Sequence, residues 1–250
     1  MDPLEICQVE IRVRSLEVAA TFYGECFGWS MQVMPEAGYA ICDTGGPPIM
    51  GIMQTANDSV PTGVVAYLLV KDAGAAADRA QELGGRVLLP RTQSGESGWW
   101  SHTIDPWGNE LAFWEPRGVF APRFVGDGRH AMTWLELRAP ELAAAVRYYK
   151  KLAGWSFQVR PSIDDFAFFK GGGRGGIGLV GGEKGQRLAG PTYYVTAPDF
   201  EAVLKRVTAH GGRLRVPSAR APDGERFAVA EDPDGNPVGL FETDAWEGKA

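Results

Sequence analysis

The stretch that decides the fold is VEIRVRSLEVAATFYGECFGW, residues 9–29, which has a second copy, LELRAPELAAAVRYYKKLAGW, at residues 135–155. The two copies align at a constant separation of 126 positions, so that Glu10 matches Glu136 and Tyr23 matches Tyr149. Each copy begins with alternating apolar and polar residues, the period of a β-strand. Apolar residues spaced three or four apart follow, and a Gly-Trp pair ends each copy, as expected for a helix that glycine stops. The repeat predicts two copies of one strand–helix unit.

The repeat continues beyond this stretch at a separation of 127 positions. The matching landmarks are Gly84-Gly85 with Gly211-Gly212, Asp105-Pro106 with Asp232-Pro233, and Gly108-Asn109 with Gly235-Asn236. Within the first half, the pattern of one strand, one helix and three strands starts again at Val64–Val70, and Asp72 is the expected N-cap of a helix at Ala73–Leu83. We therefore predict an α+β protein with two tandem domains, each a pair of βαβββ units.

The predicted domains cover residues 1–117 and 130–250, and a Gly- and Pro-rich linker at 118–129 joins them. The first strand is expected at Gln8–Val13 with one face buried, and the first helix at Leu16–Phe27.

Composition excludes several classes of partner. The 250 residues carry a net charge of −6 and include no basic run, so we expect neither nucleic acid nor an anionic membrane surface as a partner. The longest apolar run, Val64–Val70, is too short to span a bilayer. The three cysteines all lie in the first half and show no CxxC spacing, which favours a reduced, cytoplasmic protein.

The two helix ends FYGECFGW and YYKKLAGW, with the later segments DPWGNELAFWE and DPDGNPVGLFE, resemble the vicinal oxygen chelate superfamily. This family includes glyoxalase I, the extradiol dioxygenases and the bleomycin-resistance proteins. The resemblance implies that each domain curls eight strands into a U-shaped mixed sheet, with helices on the outer face and the ligand on the concave face. It does not fix the function, because this scaffold hosts isomerases, dioxygenases and metal-free binding proteins.

Metal-using members of the family place His, Gln or Glu on the first, fifth and last strands of a domain. The aligned residues here are Gln8, Val65 and Ala112 in the first domain, and Trp134, Thr192 and Gly239 in the second. Only Gln8 carries a donor atom of that set, and transition metals need several imidazole, carboxylate or thiolate donors. We expect no metal and no other cofactor.

Strand parity selects the side chains that face the concave side. If the apolar residues of the first strand face the helices, then Gln8, Glu10 and Arg12 face the ligand, and the second copy offers Trp134, Glu136 and Arg138. A Glu two residues before an Arg has two interpretations. It is a general base or ligand anchor beside a cation, or it is a structural ion pair that neutralises itself.

Aromatic residues are expected on the walls of both cavities. In the first domain these are Tyr67, Trp114 and one of Trp99 or Trp100, with Trp100 preferred; in the second, Tyr194 joins Trp134 and Phe241. Such walls suit a flat organic ligand, or they fill the cavity as core. His102 lies on the seventh strand, either as a satisfied sheet residue or as a pocket residue that transfers protons. His130 is expected to be structural or solvated.

The favoured function is metal-independent binding of a small, aromatic molecule, as in the bleomycin-resistance proteins that the sequence resembles. The ligand-binding candidates are Gln8, Arg12, Tyr67, Trp100, Trp114, Trp134, Glu136 and Tyr194. The alternative is a lyase, isomerase or dioxygenase-like enzyme, with Glu10, His102 and Glu110 as candidate acids or bases. A purely structural role is a third possibility. The tandem domains are expected to pair within one chain as a monomer, or the protein is a homodimer.

Overall fold

A computed structural model of the chain describes residues 2–45, 49–57, 60–118, 130–159, 166–170, 176–181, 190–221 and 224–242. All the candidate site residues lie within these ranges. The predicted linker at 118–129 falls almost entirely outside them, since only residue 118 is described.

The described residues of the first half form eight strands and two α-helices in the predicted order. In sequence these are β1 (Ile6–Val13), α1 (Leu16–Phe27), β2 (Ser30–Met34), β3 (Tyr39–Asp43), β4 (Ile49–Gln54), β5 (Gly63–Leu69), α2 (Ala73–Glu82), β6 (Arg86–Ser94), β7 (Gly98–Ile104) and β8 (Glu110–Pro116), with a short 3₁₀ turn at Pro35–Ala37.

The second half repeats this order. Its elements are β9 (Met132–Arg138), α3 (Leu142–Ala153), β10 (Gln158–Val159), β11 (Phe166–Lys170), β12 (Gly176–Val180), β13 (Thr192–Thr196), α4 (Phe200–Ala209), β14 (Arg213–Arg220), β15 (Arg226–Glu231) and β16 (Pro237–Glu242). No helix among the described residues is both long and apolar enough to cross a membrane.

Local sequence explains where the helices begin and end. The Ser15 side chain accepts a hydrogen bond from the Val18 amide at the start of α1, and Gly28 ends that helix with φ at 68°. Asp72 caps α2 as predicted, although the helix ends at Glu82, one residue early, because Leu83 is already its C-cap.

Two open, mixed eight-stranded sheets confirm the predicted α+β fold. Their strand orders are β2-β3-β4-β1-β5-β8-β7-β6 and β10-β11-β12-β9-β13-β16-β15-β14. The β5–β8 and β13–β16 pairs are parallel, whereas β6–β7, β7–β8, β14–β15 and β15–β16 are antiparallel.

The first strand is buried more completely than its sequence pattern predicts. Val9, Ile11 and Val13 are fully buried as expected, but Glu10 and Arg12 on the other face are only 1% and 9% exposed. The prediction of a half-buried strand was therefore wrong. The alternation reports which residues are apolar, whereas charged residues can also be buried when they pair with each other.

The chain divides into two compact units that do not coincide with the two sequence repeats. The described residues of unit one lie within Met1–Gln8, Val65–Pro122 and Leu135–Pro191, and those of unit two within Val9–Val64, Arg123–Trp134 and Thr192–Ala250. Each unit thus combines half of one repeat with half of the other.

In unit one, the turn after β7 is bound to the strand–helix segment of the second repeat. The Asp105 carboxylate accepts hydrogen bonds from the Trp107 and Asn109 amides and from the Tyr149 hydroxyl. Asn109 also bonds the backbone of Arg138, donating to its carbonyl at 2.8 Å and accepting from its amide at 3.1 Å. Burial raises the pKa of Asp105 and lifts the pKa of Tyr149 well above its usual value.

Unit two repeats this arrangement with the partners exchanged. Asp232 accepts from the Tyr23 hydroxyl at 2.8 Å, and Asn236 donates to the Arg12 carbonyl at 3.0 Å. The tyrosine in each copy of the opening stretch is therefore the partner of the turn aspartate from the other repeat.

Candidate functional site

The orientation of β7 in unit one defines the face on which the candidate site lies. The Ser101 hydroxyl donates to the Ala73 carbonyl at 2.7 Å, so Ser101 points towards helix α2. Because successive side chains of a strand alternate, Trp100 and His102 point to the opposite face, which we call the inner face. In the strand register, His102 lies opposite Ala112 and Trp100 lies opposite Trp114 on β8.

Four strands, β1, β5, β7 and β8, contribute a packed cluster to this inner face. Cys7, Val65, Tyr67 and Ala112 form its buried centre, and the partly buried Leu69, Trp100 and Trp114 pack against it. Ala112 is the register partner of Tyr67 on β5 as well as of His102 on β7. Since alanine is small, the two longer side chains can meet above it.

A chain of hydrogen bonds connects Tyr67, His102 and Glu110. The Tyr67 hydroxyl lies 3.2 Å from His102 Nε2, and His102 Nδ1 lies 2.8 Å from Glu110 Oε1. An ionised carboxylate only accepts, which assigns the imidazole proton to Nδ1. In a neutral ring Nε2 is then the acceptor, and Tyr67 donates to it. Tyr67 and His102 are only 2% and 6% exposed, whereas the Glu110 side chain is 19% exposed and forms the solvent-facing end of this network.

The indole N–H groups of Trp100 and Trp114, on the same face as this hydrogen-bond network, are buried. Within the part of the chain that the structure describes, neither Nε1 atom has a hydrogen-bond partner. The Trp100 ring centroid is 6.5 Å from that of Tyr67 and 5.6 Å from that of His102. A buried donor without an acceptor costs about 1–3 kcal/mol, so two of them on residues that are paired in the strand register need an explanation.

Cys7 is a member of the cluster that sequence reasoning missed. Its thiol donates to the Tyr67 carbonyl at 3.5 Å, and burial raises its pKa to about 12, which keeps it neutral. It was missed because the strand was predicted to begin at Gln8, two residues after its observed start at Ile6. Gln8, the next residue, points away from Cys7 on a regular strand, and its role as a ligand anchor stays a prediction.

The repeated Glu–Arg pairs are both ion pairs in the structure. In unit two, Glu10 Oε1 lies 3.5 Å from Arg12 Nε, and in unit one Glu136 Oε2 lies 3.7 Å from Arg138 Nη2. The first pair is the more buried, with side chains 1% and 11% exposed against 14% and 28%. Their occurrence in both copies fits a structural interpretation, and their proposed binding and catalytic roles stay predictions.

The equivalent strands of the second repeat, in unit two, carry different side chains. Tyr194 corresponds to Tyr67, but Val229 and Pro237 stand where His102 and Glu110 stand in the first repeat. The Tyr194 ring stacks on Phe241 with centroids 4.8 Å apart. It lies directly over Gly239, where an added Cβ would be 2.0 Å from the ring. Trp134, on β9, is partly buried.

His130 belongs to a separate cavity of about 520 Å³ in unit two. Its Nδ1 lies 2.8 Å from the Phe27 carbonyl and its Nε2 lies 2.9 Å from Asp199, while Arg206 donates to the Cys26 carbonyl. Both basic side chains therefore cap the C-terminus of α1, where cations are favourable. His130 is structural, one of the two expected outcomes.

The family model of the Glyoxalase/Bleomycin resistance protein/Dioxygenase superfamily matches residues 5–113 and 130–240. The chain belongs to this superfamily. The two matched regions are the two repeats recognised in the sequence, which confirms that glyoxalase-like domains occur in tandem.

Individual relatives agree with this membership. A Mycobacterium tuberculosis protein named "Putative glyoxylase CFP32" is 25% identical over 241 residues, covering 91% of this chain and 90% of its own. Among solved structures, the Mn(II)-bound glyoxalase from Novosphingobium aromaticivorans aligns with a TM-score of 0.71 at 14% identity, over 96% of this chain and 83% of that one. An extradiol ring-cleaving dioxygenase from B. fuscum gives 0.70 at 16%, over 99% and 74%. These structural likenesses establish the fold.

The residues of this chain do not fit the metal that many superfamily members bind. Val65 and Ala112, at two of the aligned positions, have no donor atoms and are buried in the apolar cluster. Among the residues that the structure describes, no group of three or more His, Cys, Asp or Glu side chains is arranged to hold a metal ion. The groups present on the inner face are the hydrogen-bonding side chains of Tyr67, His102 and Glu110 and the aromatic rings of the cluster.

Proposed function

We propose that the protein binds a small aromatic molecule on the inner face of unit one, without a metal ion. Tyr67, Trp100 and Trp114 supply the aromatic surface, and Glu110 and His102 supply polar groups at its edge. Walls of this kind suit a flat ligand, whose orientation a few polar groups then set.

The observation that carries this proposal is the pair of buried indole N–H groups on Trp100 and Trp114. Burying a donor without an acceptor is unfavourable. If these two side chains only had to fill the core, phenylalanine would do so without burying an unsatisfied N–H group. The second repeat has phenylalanine at both equivalent positions, 227 and 241. A ligand with an oxygen acceptor would satisfy the indole groups that the fold leaves unmet.

Ligand binding can be measured by tryptophan fluorescence and thermal stability with a panel of small aromatic probes, such as catechol, naphthol and para-nitrophenol. A true ligand stabilises the folded state by about 2.7 kcal/mol at one hundred times its Kd. We expect Trp100→Phe and Trp114→Phe to weaken binding about tenfold or more, since each removes a donor to the ligand.

Trp99→Phe is the matched control. Trp99 precedes Trp100 on β7, points to the other face, and lies between Arg91 and Arg117, whose guanidinium carbons are 4.3 and 5.1 Å from the ring. It should bind the probes like the wild type. No stabilisation by any aromatic probe, or equal losses in all three variants, would contradict the proposal.

A second candidate function is catalysis of the lyase, isomerase or dioxygenase type found in the superfamily. The observation in its favour is the His102–Glu110 contact at 2.8 Å, the arrangement of an oriented imidazole base. Turnover that disappears in His102→Asn and Glu110→Gln, with probe binding retained, would establish it. Glu10→Gln tests the remaining candidate base, and a loss of stability instead of turnover would identify its ion pair as structural.

A further inference from the structure

The geometry points to Tyr67 as a proton-transfer group, and to phenols as the ligand class of the inner face. In this arrangement a phenol or another small aromatic molecule with an acidic hydroxyl is held as its anion, while its proton stays in the protein on His102. This inference rests on the proposed binding site, and it adds the ligand's chemistry and the role of Tyr67.

The hydrogen bonds already run in the direction that such a transfer needs. With Glu110 ionised, the His102 proton lies on Nδ1 and is donated to the carboxylate 2.8 Å away, so that Tyr67, 3.2 Å from Nε2, is the donor to that nitrogen. When the O–H bond of the ligand breaks, its proton passes to the Tyr67 oxygen, and the proton of Tyr67 passes to His102 Nε2. The products are a ligand anion, a neutral Tyr67 and an imidazolium that Glu110 holds as an ion pair. No oxidant, reductant or solvent proton is involved.

The anion is matched by the neighbouring donors. The Trp100 and Trp114 indole groups are buried and have no acceptor among the described residues. Hydrogen bonds to an ionised oxygen are shorter and about twice as strong as those to a neutral one. Two such donors therefore favour the ionised ligand over the neutral ligand, and they do so in a shielded site where the difference is greatest.

A comparison of the two repeats distinguishes the residues of the proposed proton transfer from residues that both copies share. The second repeat keeps the tyrosine, as Tyr194, but replaces His102 and Glu110 with Val229 and Pro237. It also has no indole at the equivalents of Trp100 and Trp114. The proton acceptor, the carboxylate that holds it and the two N–H donors thus occur together in one copy and are replaced together in the other.

Para-nitrophenol is a direct probe, because its anion is yellow and its neutral form is not. Fluorescence quenching measures binding, and the absorbance of the bound probe measures its ionisation. For the wild type we expect the ionisation constant of the bound probe to rise at least about tenfold over that of the free probe. Calorimetry in two buffers of different ionisation enthalpy should show no proton released on binding, because His102 keeps it.

Tyr67→Phe and His102→Asn should bind the probe but keep it neutral, and Glu110→Gln should reduce its ionised fraction. His210, the C-cap of α4 in unit two, lies outside this site, so His210→Asn is the matched histidine control and should behave as the wild type. Nitrogen NMR should find the His102 proton on Nδ1 in the ligand-free wild type. When the probe is bound, both His102 nitrogens should carry protons in the wild type but not in Tyr67→Phe, a change that a merely structural role would not produce.

Two outcomes would overturn the inference while leaving the binding proposal intact. One is a bound probe that is equally ionised in the wild type and in His102→Asn. The other is the release of one proton to the buffer when the probe is ionised on binding. If the probe does not quench the tryptophan fluorescence, the proposed binding site itself is contradicted.

Discussion

Strands β5, β7 and β8 of the first repeat and β13, β15 and β16 of the second have the same topology and register but carry different chemistry. In the first, the Tyr67 hydroxyl contacts His102 above Ala112, and His102 in turn contacts the Glu110 carboxylate. In the second, Tyr194 lies flat over Gly239 and stacks on Phe241. One methyl group separates the two arrangements, since a Cβ at position 239 would collide with the ring.

The difference shows which features belong to the fold and which to the site. Both repeats retain the turn aspartate, its tyrosine partner and the Glu–Arg pair, and the turn aspartates satisfy buried polar groups in both. The first repeat places an imidazole, a carboxylate and two indole N–H groups on one face, and the second has Val229, Pro237, Phe227 and Phe241 at the equivalent positions. The first repeat is therefore where we expect the function.

The largest expected effect comes from the turns that the two repeats share. Asp105→Ala and Asp232→Ala each remove the acceptor for two backbone amides and one buried tyrosine hydroxyl. We expect each variant to lower the free energy of unfolding by about 3–4 kcal/mol, measured by urea denaturation. A large loss in only one variant would show that the two turns are not equivalent.

The next effect tests the position beneath the two tyrosines. Gly239→Ala puts a Cβ at 2.0 Å from the Tyr194 ring and should destabilise the protein by about 1–3 kcal/mol. The reverse change in the first repeat, Ala112→Gly, is the control and should lower stability by about 0.5–1 kcal/mol. Equal effects in urea denaturation would mean that the two tyrosines are packed alike.

A smaller effect should distinguish a satisfied indole from an unsatisfied one. Trp155 donates to the Leu4 carbonyl at 2.8 Å, whereas Trp114 has no acceptor in the described part of the chain. The same change to phenylalanine should therefore destabilise the ligand-free protein by at least about 1 kcal/mol less at Trp114 than at Trp155. If thermal unfolding shows the opposite order, the Trp114 indole has an acceptor in solution.

The smallest expected effect is on the pH dependence of stability. Burial raises the pKa of Asp105 above its ordinary value of 3.8, so the folded protein binds this proton more readily than the unfolded chain. As the pH falls through the folded pKa towards 3.8, the wild type should gain stability relative to Asp105→Asn. A relative loss over this window would show that the hydrogen bonds from Tyr149 and Asn109 outweigh burial.

Most residues of the candidate site could be predicted from the sequence, but the hydrogen bonds between them could not. Parity along β5 and β8 selected Tyr67, Glu110 and Trp114. On β7, Trp100 was preferred over Trp99, and His102 was chosen as the histidine of that strand. The structure connects these five residues by hydrogen bonds and packing. That Tyr67 bonds to His102 could not be predicted, because the two are 35 positions apart on strands that a third strand separates. Cys7 was missed because nothing in the local pattern marks where the strand begins.

The sequence alone determined the local elements and the duplication, since strand period, helix caps and glycine stops depend on neighbouring residues. Helix α1 begins and ends where its pattern predicts. Only the tertiary structure decided which repeat each turn binds. Tyr23 pairs with Asp232, 209 positions away, and not with the aspartate of its own repeat. Because the two aspartate turns share nearly the same local sequence, only the path of the whole chain can choose between them.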